Sequence, residues 1–209
     1  MPLTAPAPRK HIHTRLIDCR GYLRDDGLWD IEGHIKDTKT YPFHNEWRGP
    51  MEPGNPIHDM WIRLTVDNDF VVRAVETVLD GTPYSICGEV APNFQRLLGE
   101  KIKAGWRRRV KELLGGVNGC THLVELLGPV ATVAFQTIRP YLRFLVKQKL
   151  EAGADDPTVR RPWQIDTCHS WASDRDVVRR YLPEHYTGPG AGQGKPAVPA
   201  TKVAAPSEG

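Results

Sequence analysis

Apolar and polar residues alternate along Leu28 to Asp37. Trp29, Ile31, Gly33 and Ile35 fall on one face, and Asp30, Glu32, His34 and Lys36 on the other. A period of two is the pattern of a half-buried strand. His11 to Leu23 reads as the strand before it. Arg24-Asp25-Asp26-Gly27 reads as the hairpin turn between them, with Gly27 free to take a positive φ. A second hairpin follows: Ile57 to Val66, a turn at Asp67-Asn68-Asp69, then Phe70 to Leu79. Between the hairpins, 37–56 carries Pro42, Pro50, Pro53 and Pro56, and is expected to be a long irregular loop of the kind that often serves as a lid.

The second half changes its period. Pro92 can open a helix running to Lys103, and Trp106 to Leu114 forms another, closed by Gly115-Gly116. A long apolar helix is expected from Cys120 to about Lys149, kinked near Pro129 and Pro140. A last short one runs from Asp174 to Leu182 and stops at Pro183. Strands first and helices afterwards give an α+β fold: an antiparallel four-stranded meander followed by helices packed on one face.

The length of 209 residues suits one domain with tails. Residues 1–8 read as a flexible arm and 9–186 as a single α+β domain. The stretch 187–209, mostly Gly, Pro and Ala, reads as a disordered tail. A net charge of +3 is too small for a committed nucleic-acid binder. The most apolar segment, Val130 to Val146, is broken by Arg139, Pro140 and Arg143, so no membrane span is expected. Met1 to Arg9 has no apolar core of a signal peptide. The expected compartment is therefore cytoplasmic and reducing. There the four cysteines are free thiols, metal ligands or nucleophiles. The markers of a P-loop, a dinucleotide fold, a serine-hydrolase elbow and a zinc protease helix are all missing.

Three places could carry chemistry. The first is Gly115-Gly116-Val117-Asn118-Gly119-Cys120-Thr121-His122, a Gly-rich loop running into a helix. Cys120 sits in the first turn, where the helix dipole favours a thiolate. His122 and Glu125 share a helix face. Buried polar groups there need partners, and the plain alternative is that these are satisfied core residues. The second is the adjacent pair Cys168-His169, which with Cys120, His122 and Cys87 offers soft ligands for zinc or iron. The third is the sheet, where Glu32 and His34, and His58 and Asp59, set carboxylate beside imidazole as proton transfer requires. A solvated face of ordinary ion pairs is the alternative for Glu32 and His34. His11 and His13 read as surface residues beside Lys10 and Arg15. The run Arg107-Arg108-Arg109-Val110-Lys111 reads as a solvated helix face. If it binds anything, a coenzyme phosphate or a carboxylate suits it better than a duplex.

In the strings Asp26-Gly27-Leu28-Trp29-Asp30-Ile31-Glu32-Gly33, Pro56-Ile57-His58-Asp59-Met60 and Gly115-Gly116 to Leu123, the chain resembles a bacterial family of uncharacterised proteins, a domain of unknown function. The resemblance covers about Arg9 to Tyr186. It implies that Glu32, His58, Asp59, Cys87, Cys120, His122 and Cys168-His169 belong to family motifs, and it implies no activity. The order of sheet and helices is also similar to the U-type iron–sulfur scaffold proteins, with Cys87 and Cys120 in place of two of their three cysteines. The third has no counterpart here.

Three readings stand. In the first, the chain is an enzyme acting on a small, aromatic or acyl substrate. Cys120, His122, Glu32, His58 and Asp59 carry the chemistry, thiolate-based or metal-assisted, and Trp29, Tyr41, Trp47, Trp61 and Trp106 are candidates to line the pocket. In the second it is a non-catalytic metal or iron–sulfur module whose ligands come from Cys87, Cys120, His122, Cys168 and His169. In the third it is a regulatory domain that binds a small molecule. None of the three involves nucleic acid or membrane.

Overall fold

The computed structural model describes residues 3–151, 162 and 164–191. They fall into two compact units, 1–149 and 150–209. The expected C-terminal tail lies outside the described residues from 192 onward, as do the first two residues of the expected arm.

The first unit is a sheet with helices on one side. Its strands are β1 (His13–Leu23), β2 (Trp29–Lys39), β3 (Phe43–Asn45), β4 (Gly49–Met51), β5 (Pro56–Val66) and β6 (Val72–Gly81). The four long strands pair antiparallel in the order β1-β2-β5-β6, the meander that the alternation predicts. The β1–β2 turn closes with Arg24 and Leu28 paired through their backbones and Gly27 at φ 82°. At the β5–β6 turn the Asp67 carboxylate accepts the N–H groups of Asp69 and Val71. Phe70 there adopts φ 66°, an uncommon conformation for a bulky residue. Its ring is buried and stacked on Phe135 with centroids 4.6 Å apart, and that packing offsets the strain.

Two expectations change. The segment between the hairpins is not wholly irregular, because β3 and β4 form a two-stranded hairpin of their own. Its turn is organised by the Asn45 side chain, which accepts the N–H groups of Trp47 and Arg48. The helix expected from Pro92 to Lys103 is a 3-10 segment, Ser85–Leu97. The chain after it pairs with the start of β6 instead of continuing the helix. Gly99 N–H donates to Val72 O, Val72 N–H to Glu100 O, and Ile102 N–H to Phe70 O.

α1 (Trp106–Leu114) buries Trp106, Val110 and Leu114, spaced by four. α2 (Thr121–Glu151) contains both prolines and buries Leu123, Leu126, Leu127, Val130, Ala134 and Ile138 along one stripe. That stripe lies on the face of the sheet formed by Trp29, Ile31, Ile35, Met60, Ile62 and Leu64. Burying each such side chain contributes roughly 1.5–3 kcal/mol. The contacts also set direction. Gly33 of β2 meets Leu126 and Val130, Gly21 of β1 meets Thr137, and Trp29 meets Tyr141 edge-on. So α2 runs antiparallel to β2, with its N-terminus over the Asp37 end of the strand.

The second unit, in its described part, holds a 3-10 turn (His169–Trp171), α3 (Asp176–Tyr181) and a 3-10 turn at Pro183–His185. Ile165, Val178 and Leu182 pack together, with Trp171 and Tyr186 beside them. No helix among the described residues is long and apolar enough to cross a membrane.

Candidate metal centre

The centre is built on one row across three strands. Arg15 of β1 stands opposite Asp37 of β2, and Asp37 opposite His58 of β5. All three point to the face that α2 covers. His13, two residues before Arg15, shares that face. His122 reaches the row from the first turn of α2.

Asp37 is the hub, with a side chain only 1% exposed. Arg15 holds it with both prongs: Nε donates to Oδ1 at 2.8 Å and Nη2 to Oδ2 at 2.9 Å. His13 Nε2 donates to Oδ1 at 3.0 Å, and His58 Nδ1 to Oδ2 at 2.9 Å. An ionised carboxylate only accepts, which puts a proton on each of those nitrogens. His122 Nε2 stands 3.9 Å from Asp37 Oδ2, outside hydrogen-bond reach. Its ring lies against that of His58, with centroids 3.6 Å apart. Asp37, His58 and His122 each bring one ligand atom to within 4.8 Å of the others, a group that could hold a metal ion. Among the described residues, Cys87, Cys120, Cys168 and His169 are in no such group.

The electrostatics suit metal binding. Burial opposes ionisation of Asp37, but the hydrogen bonds from Arg15, His13 and His58 outweigh it and hold its pKa well below the usual carboxylate range. Burial pushes His58 down, against the pull of Asp37, and Arg15 and His13 push the same way. Burial also pushes His122 down, helped by His58 and Arg15 and opposed by Asp37 and Glu125. An ionised carboxylate beside neutral imidazoles is the protonation state a divalent metal needs.

The other sequence candidates divide between the two faces of the sheet. Cys120 is near the centre, with Sγ 3.9 Å from His122 Nδ1 and 3.9 Å from Met60 Sδ. Glu125, on the same face of α2 as His122, accepts from Arg15. Glu32 and Asp59 point to the opposite, outer face. Glu32 accepts from Arg63 at 2.9 Å. Asp59 pairs with His34 at 2.6 Å, and the His34 ring is stacked flat on Trp61 at 3.7 Å. Alternation explains the split: His58 and Asp59 are neighbours in β5 and so face opposite ways. Cys87 is half-buried in the 3-10 segment before α1, and the exposed Cys168 lies with His169 in the second unit.

Asp37, Arg15 and His13 are the members that the sequence reading missed. Asp37 continues the series 29, 31, 33, 35 on the apolar face, so a carboxylate at the buried end of that series was the available signal. His13 is not simply a surface residue, since its ring is tied to the buried Asp37 although its side chain stays 45% exposed.

The pKa directions give a pH prediction for metal-free protein. His58 and His122 are held below their ordinary value of 6.5, and Asp37 below 3.8. The unfolded chain therefore binds protons that the folded one refuses. The stabilisation is complete above each ordinary value and is lost as the pH falls through the lower folded one. In EDTA-treated protein the melting temperature is expected to fall as the pH drops below 6.5, and again below 3.8. A His58→Gln/His122→Gln variant should flatten the first fall, and an unchanged first fall would contradict the assignment.

The centre lies wholly within the part of the chain that a family model recognises, residues 13–136, which begins at His13 and runs past Glu125. No curated protein and no solved structure matches the chain. With the site residues, the meander and the first half of α2 inside that match, the chain belongs to the family described as Protein of unknown function (DUF2889).

Proposed function

We propose that the Asp37–His58–His122 group binds one divalent transition-metal ion, zinc or iron, and that the chain is a metal-assisted enzyme acting on a small molecule. The observation that carries this reading is the convergence of two imidazoles and one buried carboxylate within 4.8 Å. Two His and one carboxylate is the donor set of non-haem iron sites and of catalytic zinc sites with an open position. Bound there, the ion would supply a Lewis acid. The chain's own residues would do the rest. Arg15 and His13 fix the Asp37 carboxylate and keep it ionised, as the outer hydrogen bonds of metal ligands do. Cys120 sits beside His122, where its thiol can donate a proton and the resulting thiolate can take one back. Glu125 holds the outer nitrogen of Arg15.

Elemental analysis of protein purified without a metal-affinity tag tests the reading. One zinc or iron per chain is expected, lost in His58→Gln and in His122→Gln and kept in Cys120→Ser. Wild-type protein that is metal-free and also gives no heat with Zn²⁺ or Fe²⁺ in calorimetry would overturn it.

A second reading has its own observation. Cys120, His122 and Asp37 stand in line, with 3.9 Å from Sγ to Nδ1 and 3.9 Å from Nε2 to Oδ2. Thiol, imidazole and carboxylate in that order could form a nucleophile, a base and an orienting group once the two gaps close. Alkylation of Cys120 against pH separates the two readings. A His122→Gln variant would slow alkylation at neutral pH only if the imidazole draws the thiol proton.

A further inference from the structure

A groove of about 650 Å³ runs between α1 and α2, inside the first unit. Its wall is apolar: Ile17, Trp106, Val110, Leu114, Val124 and Leu127. Trp106 presents only its ring, because its Nε1–H donates to Leu127 O at 3.0 Å. Arg107 and Lys111, one helical turn apart on α1, stand on the rim. Their neighbours in the basic run are committed elsewhere. Arg109 pairs with Glu100 and Glu112, and Arg108 with Glu112. Among the described residues, neither Arg107 nor Lys111 has a side-chain hydrogen bond or ion pair. Arg107 lies across Gly128, where an added Cβ would stand 3.4 Å from Nε, so its guanidinium is seated at the mouth of the groove. The one acid in the lining, Glu125, is already paired with Arg15.

From this charge and shape we propose that the α1–α2 groove is a binding site for a small monocarboxylate with an apolar body. The carboxylate is held by Arg107 and Lys111, and the body lies against Ile17, Trp106 and Val124. The volume falls within the range of small-molecule pockets, which combine an apolar lining with a few placed polar groups. Arg in particular matches the planar geometry of a carboxylate. An apolar body is required because the two cations cap a greasy wall rather than a polar one. The site stands apart from the metal reading, and its occupant is bound whether or not the ion is present.

Calorimetry with octanoate, octanamide and inorganic phosphate, on the full chain with and without EDTA, tests this. Octanoate is expected to bind in both preparations, and octanamide to bind at least about tenfold more weakly, since it lacks the charge-assisted pair. Phosphate should not displace octanoate. The exposed double variant Arg107→Ala/Lys111→Ala should weaken octanoate binding at least about tenfold, with circular dichroism unchanged. A Val124→Trp variant, which fills the groove and leaves both cations in place, should abolish it. No octanoate binding, equal binding of acid and amide, or displacement by phosphate would each overturn the proposal.

Discussion

Replacing Arg15 with methionine is expected to cost more stability than replacing Asp37 with asparagine. The pair is lopsided in burial. The Asp37 side chain is 1% exposed and that of Arg15 is 32% exposed. Removing Arg15 leaves a buried carboxylate with only His13 and His58 to answer it. Breaking a buried pair in this way costs about 3–5 kcal/mol, and the two remaining histidines place the loss near the lower end. Removing the charge of Asp37 leaves a guanidinium that can turn to water and to Glu125. That loss should be about 1–2 kcal/mol. The two variants also differ in pH profile. Asp37 in the native protein adds stability above its ordinary value of 3.8, lost on acidification. Without Arg15 one of the hydrogen bonds that oppose burial is gone, so the pKa of Asp37 moves up toward its ordinary value and less of its stabilisation is left to lose on acidification. Urea denaturation at neutral and acidic pH measures both effects. Equal losses at neutral pH, or a larger loss for Asp37→Asn, would show that the carboxylate is not the buried partner on which the site depends.

Replacing Gly33 with valine is expected to cost about 3 kcal/mol and to weaken metal binding as well. A Cβ at Gly33 would stand 2.6 Å from Cγ2 of Val130 and 3.0 Å from Cγ of Leu126. Both side chains are fully buried in the stripe by which α2 meets the sheet, so neither can swing aside. Overpacking of this kind costs about 1–3 kcal/mol, and the whole valine side chain puts the cost at the upper end. Leu126 lies one turn after His122, so lifting α2 here moves the imidazole relative to Asp37 and His58. Gly21→Ala is the control. Its Cβ would meet Thr137 Oγ1 at 2.1 Å, about four turns past His122 on α2. It should destabilise the fold while leaving zinc affinity in the folded fraction close to wild type. If Gly33→Val binds zinc as wild type does, the metal centre does not depend on the seating of α2.

Much of the fold was legible because its signals are local. The alternation in β2 marks Trp29, Ile31, Gly33 and Ile35 as one face, and all but the glycine are large side chains in the core. The spacing of Trp106, Val110 and Leu114 marks α1 to the residue. The misread segments have local chemistry that competes with a simple pattern. Asn45 builds a turn inside a proline-rich stretch, and residues 99–102 pair with the start of β6 where a helix was expected.

The site was legible only in part. His58 and His122 stand out as residue types, and Cys120 as a position before a helix. Their neighbours in sequence misled: Asp59 follows His58 directly, yet the pleat turns it to the opposite face. The sequence by itself determined the four long strands, α1, α2 and the face on which their side chains stand, because those follow from periods of two and 3.6. Only the tertiary structure decided which residues meet. The register of β1 on β2 and of β2 on β5 lines up Arg15, Asp37 and His58, and the direction of α2 brings His122 over them. The β1–β2 register follows from its hairpin turn, whereas the β2–β5 register and the seating of α2 depend on packing between segments far apart in the chain.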